Sequence, residues 1–378
     1  MRICIVYDCL CPYTIGGAER WYRNLAERLA SSGHEVTFLT RRQWARGVDP
    51  GVAGVRVVAV SPPTELYARG RRRLLPPLVF GVGVLIHLLR RGRRYDVVHT
   101  ASFPYFSLLA ADLARKRGRY RIVVDWHEIW TREYWRTYAG PMAGWIGWRI
   151  QRACVRVQQR AFCFSKLQER RLREEGLDAP LTRLEGQFAG SEPATEPLPA
   201  RPVAVYAGRH TPEKRVPAIV PALAQLPELR AEVYGDGPER GDVLAAIAHH
   251  GLEERVSAPG FVAEEVLQHA LATALCFVLP SEREGYGLVV IESAAHGVPS
   301  VVVAGPDNAA TELIEEGVNG TVARSASAAD LADAVARIQA AGSELRGSTR
   351  EWFRRNAARL SLESSLQRVR DEYASAAS

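Results

Sequence analysis

Short apolar, β-branched runs recur through the first half of the chain, at residues 3–7, 35–40, 55–60, 96–99, 121–125 and 161–165. Helix-period segments lie between several of them. The clearest covers 18–32, where Ala18, Trp21, Tyr22, Leu25, Ala26 and Leu29 make one apolar stripe and Gly33 supplies a stop. Strand and helix alternating in this way predict a parallel sheet. The pattern lapses at 185–202, where Gly186, Gly190, Pro193, Pro197, Pro199 and Pro202 accumulate. It then restarts, with strand-like runs at 203–207, 231–234, 275–280 and 300–304 between helix-like segments at 217–224, 240–250, 264–272 and 288–296. The expected fold class is therefore α/β, with two doubly wound, Rossmann-like parallel-sheet domains at 1–185 and 203–355 joined by a linker at 186–202. A helix-friendly tail, 356–378, is expected to pack back toward the N-terminal domain. Two such domains would turn the carboxyl ends of their strands, where open α/β sheets bind ligands, toward a central cleft.

Composition agrees with a two-domain globular chain: 378 residues with 47% hydrophobic side chains can bury two cores. The formal charge of +7 favours anionic partners such as nucleotide phosphates or acidic lipid headgroups. Only Lys116, Lys166 and Lys214 are lysines, so 46 of the 49 basic residues are arginine and part of the charge is compositional habit. Nucleic-acid binding rests on charge alone, with no recognisable motif, and is not expected. The six scattered cysteines form no CxxC pair and read as reduced thiols. The start of the chain reads as a strand rather than a leader peptide. The apolar run 74–89 is shorter than the roughly 20 residues of a spanning helix and carries Pro76, Pro77 and His87. With Arg71-Arg72-Arg73 before it and Arg90-Arg91-Gly92-Arg93-Arg94 after it, the run reads either as an interfacial element on anionic lipid or as a buried helix with solvated ends. The expected location is cytoplasmic, with a peripheral position at the inner membrane face left open.

The densest chemical signal is Ser281-Glu282-Arg283-Glu284-Gly285-Tyr286-Gly287-Leu288, running on through Glu292 to Pro299 and reading as strand, glycine loop, helix, strand. Gly285 and Gly287 permit close approach of backbone to a ligand, and the helix beyond offers unpaired N–H groups to an anion such as a diphosphate. Glu284 and Glu292 are placed to bracket one ligand, as carboxylates accept hydrogen bonds from vicinal hydroxyls; both also suit an ordinary helix N-terminus. Gly208-Arg209-His210-Thr211-Pro212-Glu213-Lys214-Arg215 follows the first strand of the second domain, and two cations five apart there can neutralise a diphosphate leaving group.

Together with Gly235-Asp236-Gly237-Pro238, Gly305-Pro306-Asp307-Asn308 and Thr311 to Gly320, these segments closely resemble the family 4 glycosyltransferases of the GT-B fold. Gly16-Gly17-Ala18-Glu19 and the amphipathic helix after it are similar to that family's opening. The resemblance runs over both domains and is strongest from residue 204 to 322. It implies a retaining, metal-independent hexosyltransferase, without cofactor, that uses a nucleoside-diphosphate sugar and an acceptor hydroxyl on a glycan, a lipid-linked molecule or a small molecule. It implies that Glu292 binds the donor ribose, Glu284 the transferred sugar, and Arg209 with Lys214 the diphosphate. Gly285, Tyr286, Gly287 and Leu288 would line the donor, Gly16 and Gly17 would close over the diphosphate, and the base would rest near 260–262. His127, in Val124-Asp125-Trp126-His127-Glu128, matches the family's histidine near the donor sugar and reads equally as a core histidine. Two segments depart from the family pattern, Glu185-Gly186-Gln187-Phe188 and Pro306-Asp307-Asn308, and neither is expected to touch the donor core.

Seven aromatic residues, Trp126, Trp130, Tyr134, Trp135, Tyr138, Trp145 and Trp148, crowd one stretch of the first domain among arginines. They suit acceptor sugars or lipid interfaces, and about half are expected to be core. The rival readings are a GT-B-shaped nucleotide-sugar epimerase or sugar phosphorylase, and a non-catalytic sugar-nucleotide-binding protein. A dinucleotide-dependent dehydrogenase is disfavoured because the first loop, Pro12 to Gly17, lacks G-x-G-x-x-G.

Overall fold

A computed structural model describes residues 1–65, 67–68, 71–73, 75–190 and 198–375. Leu74 of the apolar run and 191–197 of the expected linker lie outside the described residues. Contacts divide the chain into one unit of Met1–Leu184 with Ser365–Ser378 and a second of Glu185–Ser364.

The first unit runs β1 (Arg2–Val6), α1 (Gly17–Ser31), β2 (Glu35–Arg41), β3 (Val55–Ser61), a short antiparallel pair β4 (Tyr67–Ala68) and β5 (Arg71–Arg72), and α2 (Leu75–Arg91). It continues with β6 (Val97–Ala101), α3 (Tyr105–Gly118), β7 (Arg121–Trp126), α4 (Arg132–Ala139), α5 (Pro141–Val155), β8 (Arg160–Cys163), α6 (Lys166–Glu174) and β9 (Leu181–Arg183). Its seven-stranded sheet has the order β3-β2-β1-β6-β7-β8-β9, all parallel. The β1 and β6 strands are buried along almost their whole length, as expected of parallel strands covered on both faces. The amphipathic stripe of α1 is buried as the sequence predicts, at Trp21, Tyr22, Leu25, Ala26 and Leu29.

The second unit contains β10 (Val203–Ala207), α7 (Ile219–Ala224), β11 (Arg230–Tyr234), α8 (Arg240–His249), β12 (Val256–Gly260), α9 (Glu264–Thr273) and β13 (Cys276–Leu279). There follow β14 (Arg283–Glu284), α10 (Leu288–Ala295), β15 (Ser300–Val303), β16 (Asp307–Asn308), β17 (Gly320–Ala323) and α11 (Ala328–Leu360), which is interrupted at Gly342. The six-stranded sheet, β12-β11-β10-β13-β15-β17, is again parallel. The last helix, α12 (Leu362–Ser375), lies mostly in the first unit. There Tyr373 reaches His99 on β6, Glu372 pairs with Arg160 at 2.8 Å, and Arg368 donates to the Arg183 carbonyl.

Among the described residues one stretch, Leu75–Arg94, is long and apolar enough to cross a membrane. It is the α2 helix and the turn after it, and α2 packs on α3 and β3 within the first unit. All six cysteines are free.

Candidate active site

In the second unit the strand order reverses between β10 and β13, which are neighbours in the sheet. The loops leaving the carboxyl ends of strands on either side of such a reversal diverge and leave a crevice, the usual ligand position in open α/β sheets. The loop after β10 carries Arg209 and Lys214; the loop after β13 carries Glu284. Lys214 Nζ donates to Glu284 Oε1 at 2.6 Å, and Ser281 Oγ donates to the same oxygen at 2.9 Å. Two further links tie these loops together, Arg215 to Glu282 at 2.6 Å and the Glu282 amide to the Glu213 carbonyl at 2.9 Å. Glu284 is therefore anchored before any ligand arrives. Arg209 lies just beyond β10, where its carbonyl accepts from the buried Tyr206 hydroxyl at 3.0 Å.

The glycine loop turns from β14 into α10 at Gly287, whose φ of +107° disfavours side chains and where an added Cβ would lie 2.8 Å from Ala310 Cβ. Leu288 opens α10, and Glu292 lies one turn further on, nearly covered. Gly285 and Tyr286 complete the loop. The Tyr286 hydroxyl donates to the Glu185 carbonyl, and burial pushes its pKa upward.

The two departures from the family pattern do touch this loop, contrary to the sequence-based expectation. Glu185 holds Tyr286, and β16 pairs with β14 so that Asn308 stands beside Glu284. The Asn308 amide donates to the carbonyls of Ser281 at 3.1 Å and Val303 at 2.8 Å, and its oxygen accepts from the Ala310 amide. Sequence reasoning missed Ser281 and Asn308 as supports of Glu284. Asn308 pairs across 24 positions of chain, and no local pattern announces a two-residue parallel ladder.

On the other side of the reversal, the loops after β10, β11 and β12 are stitched by backbone. The Gly208 amide donates to the Tyr234 carbonyl, His210 to Asp236, and Gly235 to Gly260. Gly235 has φ +112°, and a Cβ there would sit 1.9 Å from the Gly208 oxygen, so only glycine lets these loops close. His210 is wholly buried, and burial lowers its pKa against the opposing pull of the Tyr234 backbone and Asp236. Phe261, in the 260–262 segment expected near the base, is largely exposed.

Gly16, Gly17 and His127 belong to the first unit. Gly16 is extended and precedes α1, and a Cβ added at Gly17 meets nothing within 4 Å, so protein packing does not demand glycine there. His127 follows β7 and stacks parallel on Phe164, with ring centroids 4.5 Å apart, while Tyr22 of α1 meets it edge-on. Its Nε2 is buried without a partner among the described residues, and burial holds the imidazole below its ordinary pKa despite the opposing pull of Asp125. Behind it the buried Asp125 carboxylate accepts from Trp21 Nε1 at 2.7 Å and pairs with His99 Nε2 at 2.8 Å, while His99 Nδ1 meets the Tyr373 hydroxyl at 2.5 Å. Burial alone would raise the Asp125 pKa, but His99, His127 and Trp21 bring it below the ordinary carboxylate value. The sequence shows Trp21 only as a member of an apolar stripe, so this polar network was not anticipated.

The aromatic stretch divides between interior and surface. Trp126 and Trp135 are buried, Trp130, Tyr134 and Trp148 half-buried, and Tyr138 and Trp145 exposed. Among the described residues no group of three or more His, Cys, Asp or Glu is placed to hold a metal ion.

Residues 16–184 match the family model described as glycosyl transferase 4-like domain, and 192–359 match the model for glycosyl transferases group 1. Alpha-D-kanosaminyltransferase of Streptomyces kanamyceticus is 34% identical over 145 residues, 37% of each chain. The match thus spans about a third of that relative. Glycogen synthase of Mycobacterium tuberculosis is 26% identical over 340 residues, 80% of this chain and 77% of the relative. Among solved structures, sucrose-phosphate synthase from Thermosynechococcus elongatus aligns over 100% of both chains with a TM-score of 0.83 and 20% identity. Anabaena Alr3699/HepE in complex with UDP and glucose aligns over 99% of this chain and 100% of that one, with a TM-score of 0.75 and 19% identity. The architecture of both units is that of the GT-B fold.

Proposed function

The chain belongs to the family 4 glycosyltransferases, whose two domain models it matches in succession, and on that premise we propose that it transfers a sugar from a nucleoside-diphosphate sugar to an acceptor hydroxyl with retention of anomeric configuration. The observation that carries this reading is the Lys214–Glu284 pair at the strand-order reversal, with the glycine loop and α10 directly behind it.

In this reading the donor diphosphate enters among Arg209, Lys214 and the N-terminus of α10, whose unpaired amides and positive dipole end suit an anion. Lys214, paired with Glu284 in the free protein, then shares its charge with the phosphates. Glu284 accepts hydrogen bonds from hydroxyls of the transferred sugar, held in place by Ser281. Glu292 takes the ribose hydroxyls, and the base rests beside 260–262. Gly16 and Gly17 leave room for phosphate in the first unit, and His127, uncharged at neutral pH, offers a hydrogen bond to a sugar hydroxyl. The anomeric carbon–phosphate oxygen bond breaks while the acceptor oxygen bonds to the same face of that carbon. The acceptor proton passes to the departing phosphate oxygen. Charge grows on the leaving phosphate, so fixed cations there stabilise the transition state more than the ground state. We take these cations to serve in place of a divalent ion.

A uridine diphosphate sugar is the first donor to test, since a solved structural neighbour holds UDP with glucose. The test is to incubate the protein with a panel of nucleotide sugars and acceptors, follow nucleoside diphosphate release, and read the anomeric configuration of the product by NMR. Release coupled to an α-linked product from an α-linked donor supports the reading. Donor consumption without transfer to any acceptor would favour an epimerase instead.

A further inference from the structure

The outer face of α2 does not look like the solvent face of a globular helix. Its inner face is the buried one, through Pro76, Phe80, Gly81, Val84 and Leu88. Leu75, Leu78, Val82, Ile86 and Leu89 recur at spacings of three and four on the other side, and each is exposed, from 37% at Leu89 to 61% at Leu75. At 1.5 Å per residue this stripe is about 21 Å long. The helix beneath it is firmly seated: a Cβ on Gly81 would fall 2.6 Å from Phe106 Cβ, and one on Gly83 2.0 Å from the Val60 carbonyl oxygen.

A second apolar patch lies on the same side of the sheet. The connections β3-α2-β6, β6-α3-β7 and β7-α4-α5-β8 all step in one direction along the strand order, so right-handed crossovers put α2, α3 and α5 in one layer. α3 packs against both of the others. Met142, at 77% exposure, Trp145 and Ile146 project from α5. Arginines border both patches: Arg90 and Arg91 are exposed at the end of α2 and Arg93 and Arg94 in the turn after it, as are Arg132 and Arg136 on α4, Arg149 on α5 and Arg156 directly after α5. No acidic residue occurs from Leu75 to Arg94, and Glu133 is the only one from Arg132 to Arg156.

We infer that this helical layer of the first unit is a docking face for an anionic lipid bilayer, with the α2 stripe and the Met142–Ile146 patch entering the headgroup boundary and the arginines meeting lipid phosphates. Apolar surface rimmed by arginine in this way marks an interaction site. A second copy of the chain is a poor occupant, because a two-fold interface would set arginine against arginine. The inference stands apart from the transfer reaction: a chain without transferase activity would still bind.

The experiment is flotation of the full chain at low salt with vesicles of phosphatidylcholine alone or mixed equally with phosphatidylglycerol. Binding to the mixed vesicles only is expected. Val82→Glu/Ile86→Glu should lower the partition coefficient at least tenfold, and Arg90→Ser/Arg93→Ser about 25-fold at roughly fivefold per arginine. Melting temperatures check that each variant folds, and the arginine pair carries the test if the glutamate pair does not. Failure of the wild type to float, equal binding to both vesicle types, or unchanged binding by the arginine variant would overturn the inference. So would a dimer, seen by sedimentation, that Val82→Glu/Ile86→Glu dissolves, since the face would then belong to a second copy.

Discussion

Replacing Lys214 by alanine removes the ammonium 2.6 Å from Glu284 Oε1. The Glu284 side chain is only 12% exposed, and that of Lys214 23%. The variant leaves a mostly covered carboxylate with the Ser281 hydroxyl as its remaining described donor, a loss of about 2 kcal/mol. For a unit of this size that lowers Tm by roughly 4–8 °C. The same lysine is assigned to the leaving phosphate, and loss of one such preorganised charge costs about 10²–10³ in kcat. A double-variant cycle separates the two roles. In Lys214→Ala/Glu284→Gln the unpaired negative charge is gone, so stability should return toward wild type by at least about 0.5 kcal/mol relative to additivity. Turnover should not recover. Calorimetry and steady-state kinetics on the four proteins decide the matter. An unchanged kcat in Lys214→Ala would remove the lysine from the reaction, and strictly additive stabilities would show that the ion pair contributes nothing.

Three further outcomes are expected. Gly287→Ala forces an alanine into a left-handed conformation with its Cβ 2.8 Å from Ala310, so it should destabilise the second unit by about 1–3 kcal/mol and weaken donor binding; calorimetric melts that match wild type would refute this. Treatment with EDTA should leave turnover unchanged, and a loss restored by magnesium would contradict the assignment of Arg209 and Lys214 to the diphosphate. Burial pulls the His87 pKa down to about 4, so between roughly pH 6.5 and 4 the unfolded imidazole takes up a proton that the folded one refuses. Stability should therefore fall as pH drops through that window, by about 1 kcal/mol at pH 5.5 after allowance for partial exposure. His87→Gln should show a shallower fall in urea melts at pH 7.5 and 5.5; an identical fall would clear His87.

The central strands of both sheets were legible because each is a short, mainly apolar run and most are bounded by helix-period segments. Within the two large sheets, the strands that sequence reasoning passed over, β9, β12 and β17, all lie at edges, and the two-residue strands β4, β5, β14 and β16 were passed over as well. Val256-Ser257-Ala258-Pro259-Gly260 is a poor strand sequence, yet an edge strand tolerates proline because one side of its backbone needs no partner. The glutamates and basic residues of the second unit were legible as a segment pattern, with Lys214 and Glu284 seventy positions apart. Their contact was not, since it depends on β10 and β13 lying side by side. The apolar run before Arg90 was read as either an interfacial element or a buried helix with basic ends, but which of its residues face solvent follows from how Gly81 and Gly83 seat it on α3 and β3. Trp21 shows the same limit, because its place on a helix stripe says nothing of the Asp125 carboxylate that its indole meets.

The most direct measurement is calorimetric titration of nucleoside diphosphates and their sugars into the wild type and Glu292→Ala. Tight binding of one nucleoside diphosphate, weakened at least tenfold in the variant, is the predicted result. Absence of binding by any nucleotide, or equal binding by both proteins, would contradict a donor site built on α10.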